Sequence, residues 1–356
     1  MKVKIKTNEI GKAVKLCANA IDVKDPTRSN INFVAEGDKI TVRATNSQYS
    51  IEVIAKGDVQ EEGTAIVDGK MAYSAISKGS GECLLTADEK SLTIKTSGRT
   101  KLPNINHDLP LIEEVEGKKA TFDAVEFKNA INKVAYAISE DESRVILTGA
   151  HIVTDGMTAT ITALDGFRLA QTVISCDGEE IDIIVPSRIL NAITDAITDG
   201  ELTISSNGIK ITAKGEGFTI NATTLSGTYI DTERIIPTEF KTKVLVKTID
   251  MKDCADSATV ASGTNNLVKL VVANDNIAVM SNSEVADFHG DVNAMIEGDD
   301  ITISFNLKYL IHALNHIDSE ECEFRFNQPT TPAIIVPHKE NNSDLSLVLP
   351  VRTFTA

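Results

Sequence analysis

The chain has 356 residues, 42% hydrophobic and 24% charged, with 35 Lys and Arg against 51 Asp and Glu for a formal net charge of −16. Its length asks for two or three domains, and its composition is that of a folded globular protein, which excludes a disordered, collagen-like or membrane-embedded chain. The negative balance excludes indiscriminate adhesion to nucleic acid or anionic membrane, so any DNA contact must be local.

At the N-terminus MKVKIKTNEI alternates charged and apolar residues and reads as neither a secretory signal nor a transit peptide. No run approaches the ~18 consecutive apolar residues of a membrane span. Cys17, Cys83, Cys176, Cys254 and Cys322 are scattered and form no Cys-x-x-Cys pair, which fits buried thiols in a reducing compartment. A cytoplasmic protein without membrane contact is expected.

The first predicted elements are a short strand and a helix, whose apolar positions Ile10, Ala13, Val14, Cys17 and Ile21 recur at helical spacing. Alternating runs such as DKITVRA follow, then a second strand–helix step in IVDGKMAYSAI from Ile66, then KSLTIKT. The pattern then restarts. FDAVEFKNAINKVAYAI from Phe122 and VKTIDMKDCADSATVAS from Val246 align without gaps on IKTNEIGKAVKLCANAI from Ile5. Their stripes are Phe127, Ala130, Ile131, Val134 and Ile138, and Met251, Cys254, Ala255 and Ala258. The second step recurs as IVPSRILNAIT from Ile184 and SFNLKYLIHAL from Ser304. ATITAL, GIKITAKGEGFTINAT, DNIAVMS and LSLVLPV read as half-buried antiparallel strands. An α+β protein of three repeated domains follows, each with two helices and antiparallel sheets. The charged joints at 113–120 and 237–243 divide it into 1–117, 118–238 and 239–356.

Basic residues recur near the helix starts: Lys12, Lys128 and Lys252 in or beside the first turn of the first helix, and Lys70, Arg188 and Lys308 in the second. A cation is electrostatically disfavoured at a helix N-terminus, where the macrodipole is positive. Six such placements point to an anion facing these helices, against the plainer alternative of solvated lysines. The acidic clusters at 113–116, 177–182, 297–300 and 318–323 fall in loops or strand edges. A basic lining with an acidic exterior would hold a polyanion in one place and repel it elsewhere.

ALDGFRLA (163–170), SGTYIDTERIIP (226–237), FNLKYLIHAL (305–314) and LVLPVR (347–352) stand in this order within the three-fold repeat. Together they resemble the DNA polymerase III beta subunit family, the bacterial sliding clamps, over the full length. The resemblance implies a homodimeric ring of six domains, closed head to tail, with helices lining the hole and sheets outside. Such a ring encircles double-stranded DNA without reading its sequence and acts as a processivity factor with no catalysis of its own. It implies that Lys70, Arg188 and Lys308 face the hole, that Lys24 or Arg28 occupies a basic loop of the first domain, and that Arg144 occupies the matching loop of the second. Weak phosphate contacts of this kind centre the duplex while permitting sliding.

The implied partners are a DNA polymerase subunit, a clamp loader and other proteins carrying a clamp-binding peptide motif with apolar and aromatic anchors. The matching pocket positions are Leu147, Leu164, Gly166, Phe167, Arg168, Leu169, Ile230, Arg234, Ile235, Asn306, Tyr309, Pro332, Val348, Leu349, Pro350, Val351 and Arg352. Core or strand packing is the alternative for Leu147, Leu169 and Val348. Departures from the family pattern are Leu164 for a hydroxyl residue, Phe167 for a histidine, Ile230 for a proline, and a tail extended by 353–356.

Enzymatic signatures are weak. Phosphate-binding loop, nucleophile-elbow and zinc-helix patterns do not occur, and no cofactor is implied. The glycines of KGSGE (78–82) and KGEGF (214–218) are expected in hairpin turns. His312 and His316, four apart on a helix, lack further metal ligands at a recognised spacing, and no metal is expected. Asp165 is expected to turn the chain and hold Arg168 at the pocket rim. A repetitive β-rich scaffold or adhesin is the rival reading, and an enzyme a distant third.

Overall fold

Three passes through one order of elements make up the chain in a computed structural model, which describes residues 1–46, 48–105, 108–340 and 342–352. The first repeat runs β1 (Lys2–Lys6), α1 (Thr7–Asn19), β2 (Asn30–Glu36), β3 (Lys39–Thr45), β4 (Tyr49–Lys56), β5 (Asp58–Glu61), β6 (Gly63–Asp68), α2 (Gly69–Ser77), β7 (Glu82–Ala87), β8 (Ser91–Lys95) and β9 (Arg99–Pro103). The second runs β10 (Lys118–Asp123), α3 (Ala124–Ala135), a 3-10 turn (Glu142–Leu147), β11 (Gly149–Thr154), β12 (Thr158–Leu164), β13 (Arg168–Ser175), β14 (Asp177–Gly178), β15 (Asp182–Pro186), α4 (Ser187–Ala196), β16 (Glu201–Ser206), β17 (Lys210–Gly215) and β18 (Phe218–Thr223). The third runs β19 (Thr242–Lys247), α5 (Thr248–Ala258), β20 (Leu267–Ala273), β21 (Asn276–Asn282), β22 (Asp287–Gly298), β23 (Ile301–Asn306), α6 (Leu307–Asn315), β24 (Glu321–Phe326), β25 (Ala333–Pro337) and β26 (Leu345–Val348).

These elements gather into two compact units. One holds Met1–Lys128, Thr154–Met157 and Ser175–Leu225; the other holds Asn129–Val153, Thr158–Ile174 and Ser226–Ala356. In the first unit a five-stranded sheet runs β5-β1-β7-β8-β9, and a nine-stranded sheet runs β14-β10-β16-β17-β18-β4-β3-β2-β6. The longer sheet crosses from the first repeat to the second where β4 pairs antiparallel with β18, Ile51 opposite Ile220. In the second unit the order is β11-β12-β13-β26-β25-β24-β19-β22-β21-β20-β23. There the crossing from second repeat to third is β13 on β26, Leu169 opposite Leu347.

Each repeat packs its helices on its sheets through the stripe that the sequence predicts. Ile10, Ala13, Val14 and Cys17 of α1 are buried, as are Met251, Ala255 and Ala258 of α5, and α5 shares its core with Leu310, Ala313, Leu314, Phe305, Phe324 and Phe326. Full burial of a side chain of this size contributes roughly 1.5–3 kcal/mol. The KGEGF turn is the expected hairpin, between β17 and β18, with Gly217 at φ +75. KGSGE is not a hairpin: it joins α2 to β7, and the Gly81 carbonyl accepts the Thr7 N–H at 2.9 Å, seating the start of α1.

The lysines of the first helices also require correction. The gapless alignment sets Gly11, and not Lys12, opposite Lys128 and Lys252. Lys128 Nζ donates to the Ile197 carbonyl and Lys252 Nζ to the Ile317 carbonyl, both at 3.3 Å, just past the ends of α4 and α6. A cation there complements the negative end of the helix dipole, so these two lysines are structural and are not offered to an external anion. The corresponding carbonyl of the first repeat belongs to Gly79. Gly11 and Gly79 instead line an open cleft of about 790 Å³, with Lys12 exposed beside it.

A Cβ at Gly11 would meet only Ile76 Cγ2, at 3.8 Å, so a side chain fits there without strain. Replacing the mid-helix glycine with lysine removes a penalty of about 1 kcal/mol and supplies the missing bridge. Gly11→Lys is therefore expected to raise the urea midpoint of unfolding, and an unchanged or lower midpoint would contradict this account of the cleft.

Candidate functional site

The DGFR turn between β12 and β13 is built by one carboxylate. Asp165 Oδ1 accepts the Phe167 and Arg168 N–H groups at 2.8 and 3.0 Å, and Oδ2 accepts Arg168 Nε at 2.9 Å. Gly166 sits at φ +93, a conformation that glycine reaches without cost. A Cβ there would also lie 3.0 Å from Arg144 Nη1, so the structure places Arg144 beside this turn. The turn pushes Phe167 outward, 57% exposed, with its ring stacked on Tyr309 at 6.0 Å and 23°.

Arg168 turns the other way. Its side chain is 11% exposed, and its guanidinium carbon lies 4.6 Å from the Tyr309 ring centre and 5.4 Å from that of Tyr136, with Nη1 on His312 Nδ1. Tyr136, stacked on His316 at 4.4 Å, shares a 2.7 Å hydrogen bond with the Ser346 hydroxyl. Burial pushes the Tyr136 phenol up to about 12, against smaller opposing effects of Ser346 and Arg168. Tyr136, His312 and Ser346 were not legible as site residues. They come from three elements far apart in sequence, and only the fold assembles them around Arg168.

The remaining pocket positions divide by burial. Leu147, Leu164, Leu169 and Val348 are at most 4% exposed, and Val348 packs in the core of the third repeat. Leu349 N–H donates to the Phe167 carbonyl at 2.9 Å, and Val351 N–H to the Ser304 carbonyl at 2.8 Å, which fastens the segment carrying Leu349, Pro350 and Val351. Asn306 is occupied as the cap of α6, its Oδ1 accepting the Lys308 N–H at 3.0 Å. Tyr309, Ile235 and Pro332 are partly buried, while Ile230, Arg234 and Arg352 are exposed. Arg234 is held by Asp231 at 2.8 Å. Residues 353–356 lie outside the described residues.

Among the basic positions, Lys70, Arg188 and Lys308 each stand second in their helix, and all three are exposed. Arg188 lies 5.8 Å above the Tyr49 ring, with Nη2 3.5 Å from the Asn19 carbonyl that ends α1. Lys24 is exposed in the turn that the Asp22 N–H closes on the Arg28 carbonyl, and Arg28 pairs with Asp25 at 3.2 Å. The Nδ1 atoms of His312 on α6 and of His316 just past its end are already engaged: His312 with Arg168, and His316 with the His312 carbonyl at 2.7 Å. Among the described residues no three metal-ligating side chains cluster. No helix among them is long and apolar enough to cross a membrane.

A thrice-repeated pair of helices backed by antiparallel sheets, with a recurring exposed cation near the start of the second helix, defines a clamp-type protein. The family model described as DNA polymerase III beta subunit, central domain, matches residues 121–231, and the one for the C-terminal domain matches 233–352. A beta sliding clamp of Staphylococcus epidermidis is 29% identical over 352 residues, covering 92% of this chain and 93% of its own. Another, from Lactococcus lactis, is 27% identical and covers 99% and 100%. The crystal structure of the beta subunit from DNA polymerase of Streptococcus pyogenes superposes with a TM-score of 0.92 at 26% identity, over 99% of this chain and 100% of that one. The chain belongs to the DNA polymerase III beta subunit family, the beta sliding clamps. It is a processivity factor of DNA replication with no catalytic activity of its own.

Breaking the turn should cost stability, because removing one partner of a largely buried ion pair strands the other. Asp165→Ala is expected to lower the free energy of unfolding by about 3 kcal/mol, read by urea denaturation. A loss within experimental error would mean that the carboxylate does not hold Arg168 in place.

Proposed function

We propose that two copies of this chain close head to tail into a ring around duplex DNA, with domains at 1–117, 118–238 and 239–356. The ring tethers a DNA polymerase and other peptide-bearing partners in the cytoplasm. The observation that carries this reading is the exposed cation at the second position of the second helix in every repeat: Lys70, Arg188 and Lys308. Lys12, Lys24 and Arg28 are assigned to the same DNA-facing set, and Arg144 to the junction of that set with the pocket.

Strand edges support closure. The repeats join through β4 on β18 and through β13 on β26. By the same pattern β9 is left for the N-terminal half of β22. Among the described residues, β9 pairs only with β8, and Asp287–Asn293 of β22 pairs only with β21. Exposed Arg99 and Lys101 on β9 match exposed Asp287 and Asp291 on β22 in charge. Val260 and Val285, 78% and 92% exposed, flank the β22 edge with apolar surface. A second copy satisfies both edges at once.

Partner peptides fit the floor of Leu147, Leu164, Leu169 and Val348, with Phe167 and Tyr309 as an aromatic wall. Leu164, Phe167 and Ile230 make this pocket more apolar than the family pattern, which favours peptides with larger apolar anchors.

A ring is retained by topology, so protein loaded on a circular plasmid should be lost when the circle is linearised and kept when it is nicked; equal loss from both would overturn the reading. Combined Lys70→Glu, Arg188→Glu and Lys308→Glu should weaken DNA association and flatten its salt dependence. The log–log slope should fall by about five, at 0.9 for each of six side chains in a ring of two copies. An unchanged slope would mean that these groups do not meet phosphate. Phe167→Ala, at an exposed position, should leave the free energy of unfolding within about 0.5 kcal/mol of the parent yet weaken peptide capture severalfold. Undiminished capture would remove Phe167 from the pocket.

A further inference from the structure

Every nitrogen of the Arg168 guanidinium is a donor, so the His312 nitrogen that meets it must be an acceptor. The contact joins Nη1 to Nδ1, which makes that imidazole neutral with its proton on Nε2. The rest of the arginine is already spoken for, with Nε on Asp165 at 2.9 Å and Tyr309 and Tyr136 stacked near Cζ. Tyr309 in turn backs the exposed ring of Phe167. We propose that His312 is a positioning residue of the peptide pocket: neutral, it clamps Arg168 against Tyr309 and holds the aromatic wall upright; protonated, it releases the guanidinium and the pocket loses its partner peptide. This rests on the assignment of that pocket to peptide capture.

The groups facing His312 make the clamp responsive to acid. Arg168 and Asp165 approach from the β12–β13 turn, Lys308 from its own helix, His316 from the residue that caps that helix, and the phenol Tyr136 from the residue after α3. Burial first, then the cations Arg168, His316 and Lys308, push His312 below the ordinary histidine value, and only Asp165 opposes them. Because the folded value lies below the unfolded one, the clamp contributes fully above the ordinary histidine range and is lost as pH falls through the lowered value. His316 cannot act this way. Its Nδ1 faces a carbonyl, which accepts a proton-bearing nitrogen in either charge state.

The test is fluorescence anisotropy of a rhodamine-labelled, C-terminally amidated octapeptide ending in leucine and phenylalanine, titrated with the full-length protein from about pH 7.5 to pH 5. Affinity should fall roughly tenfold across that range, one pKa unit of differential protonation. His312→Gln, whose amide oxygen accepts from arginine at every pH, should flatten the profile, while His338→Gln should keep the parent's. A flat parent profile, or a fall that persists in His312→Gln, overturns the proposal. Failure of the peptide to bind at any pH would instead count against the pocket assignment. The clamp is then judged by NMR of labelled histidines: Arg168→Gln should move the His312 titration upward, and an unmoved titration overturns it.

Discussion

An unpaired strand edge exposes a row of backbone donors and acceptors that must find partners, and this constraint organises the molecule. Each repeat contributes a strand that ends its own sheet, and in two cases a strand of the next repeat completes the ladder: β4 with β18, and β13 with β26. The third repeat runs β22 as one twelve-residue strand. Its C-terminal half pairs with β19, while its N-terminal half keeps one side free. Three repeats therefore leave β9 and the N-terminal half of β22 without the partner that this pattern supplies elsewhere, and these are the two edges that the proposed ring of two chains would join.

Charge is distributed according to what each cation has to satisfy. Lys128 and Lys252 are drawn onto carbonyls at the ends of α4 and α6, where they complement the helix dipole. Lys70, Arg188 and Lys308 stand at the opposite end of the second helices, where the dipole offers nothing to a cation and an external anion does. Since the chain as a whole is at −16, the proposed attraction to phosphate would be confined to such places, as a clamp that slides rather than sticks requires.

The DGFR turn shows how few residues shape the proposed binding surface. One carboxylate, Asp165, shapes the turn that sends Phe167 out and Arg168 in, and the arginine then becomes the centre of a cluster built from Tyr309, Tyr136 and His312. Phe167 faces outward and Arg168 packs inward, so the proposed recognition surface and the cluster that supports it meet in a single turn.

Local periodicity determined a large part of this protein in advance. The helical stripes from Ile10, Phe127 and Met251, the alternating strands, the three-fold repeat and the role of Asp165 in its turn are all short-range patterns, because helix and strand faces recur every few residues. The motifs at 163–170 and 347–352 likewise marked Arg168 and Val348 before their pairing was seen. Tertiary structure decided what such patterns do not encode. It separated Lys128 and Lys252, bound to distant carbonyls, from the exposed Lys12 one position out of register. It turned KGSGE into a helix-to-strand joint, brought Arg144 beside Gly166, and set Tyr136, His312 and Ser346 around one guanidinium. Each of those outcomes depends on contacts between residues of different elements, which no local periodicity records.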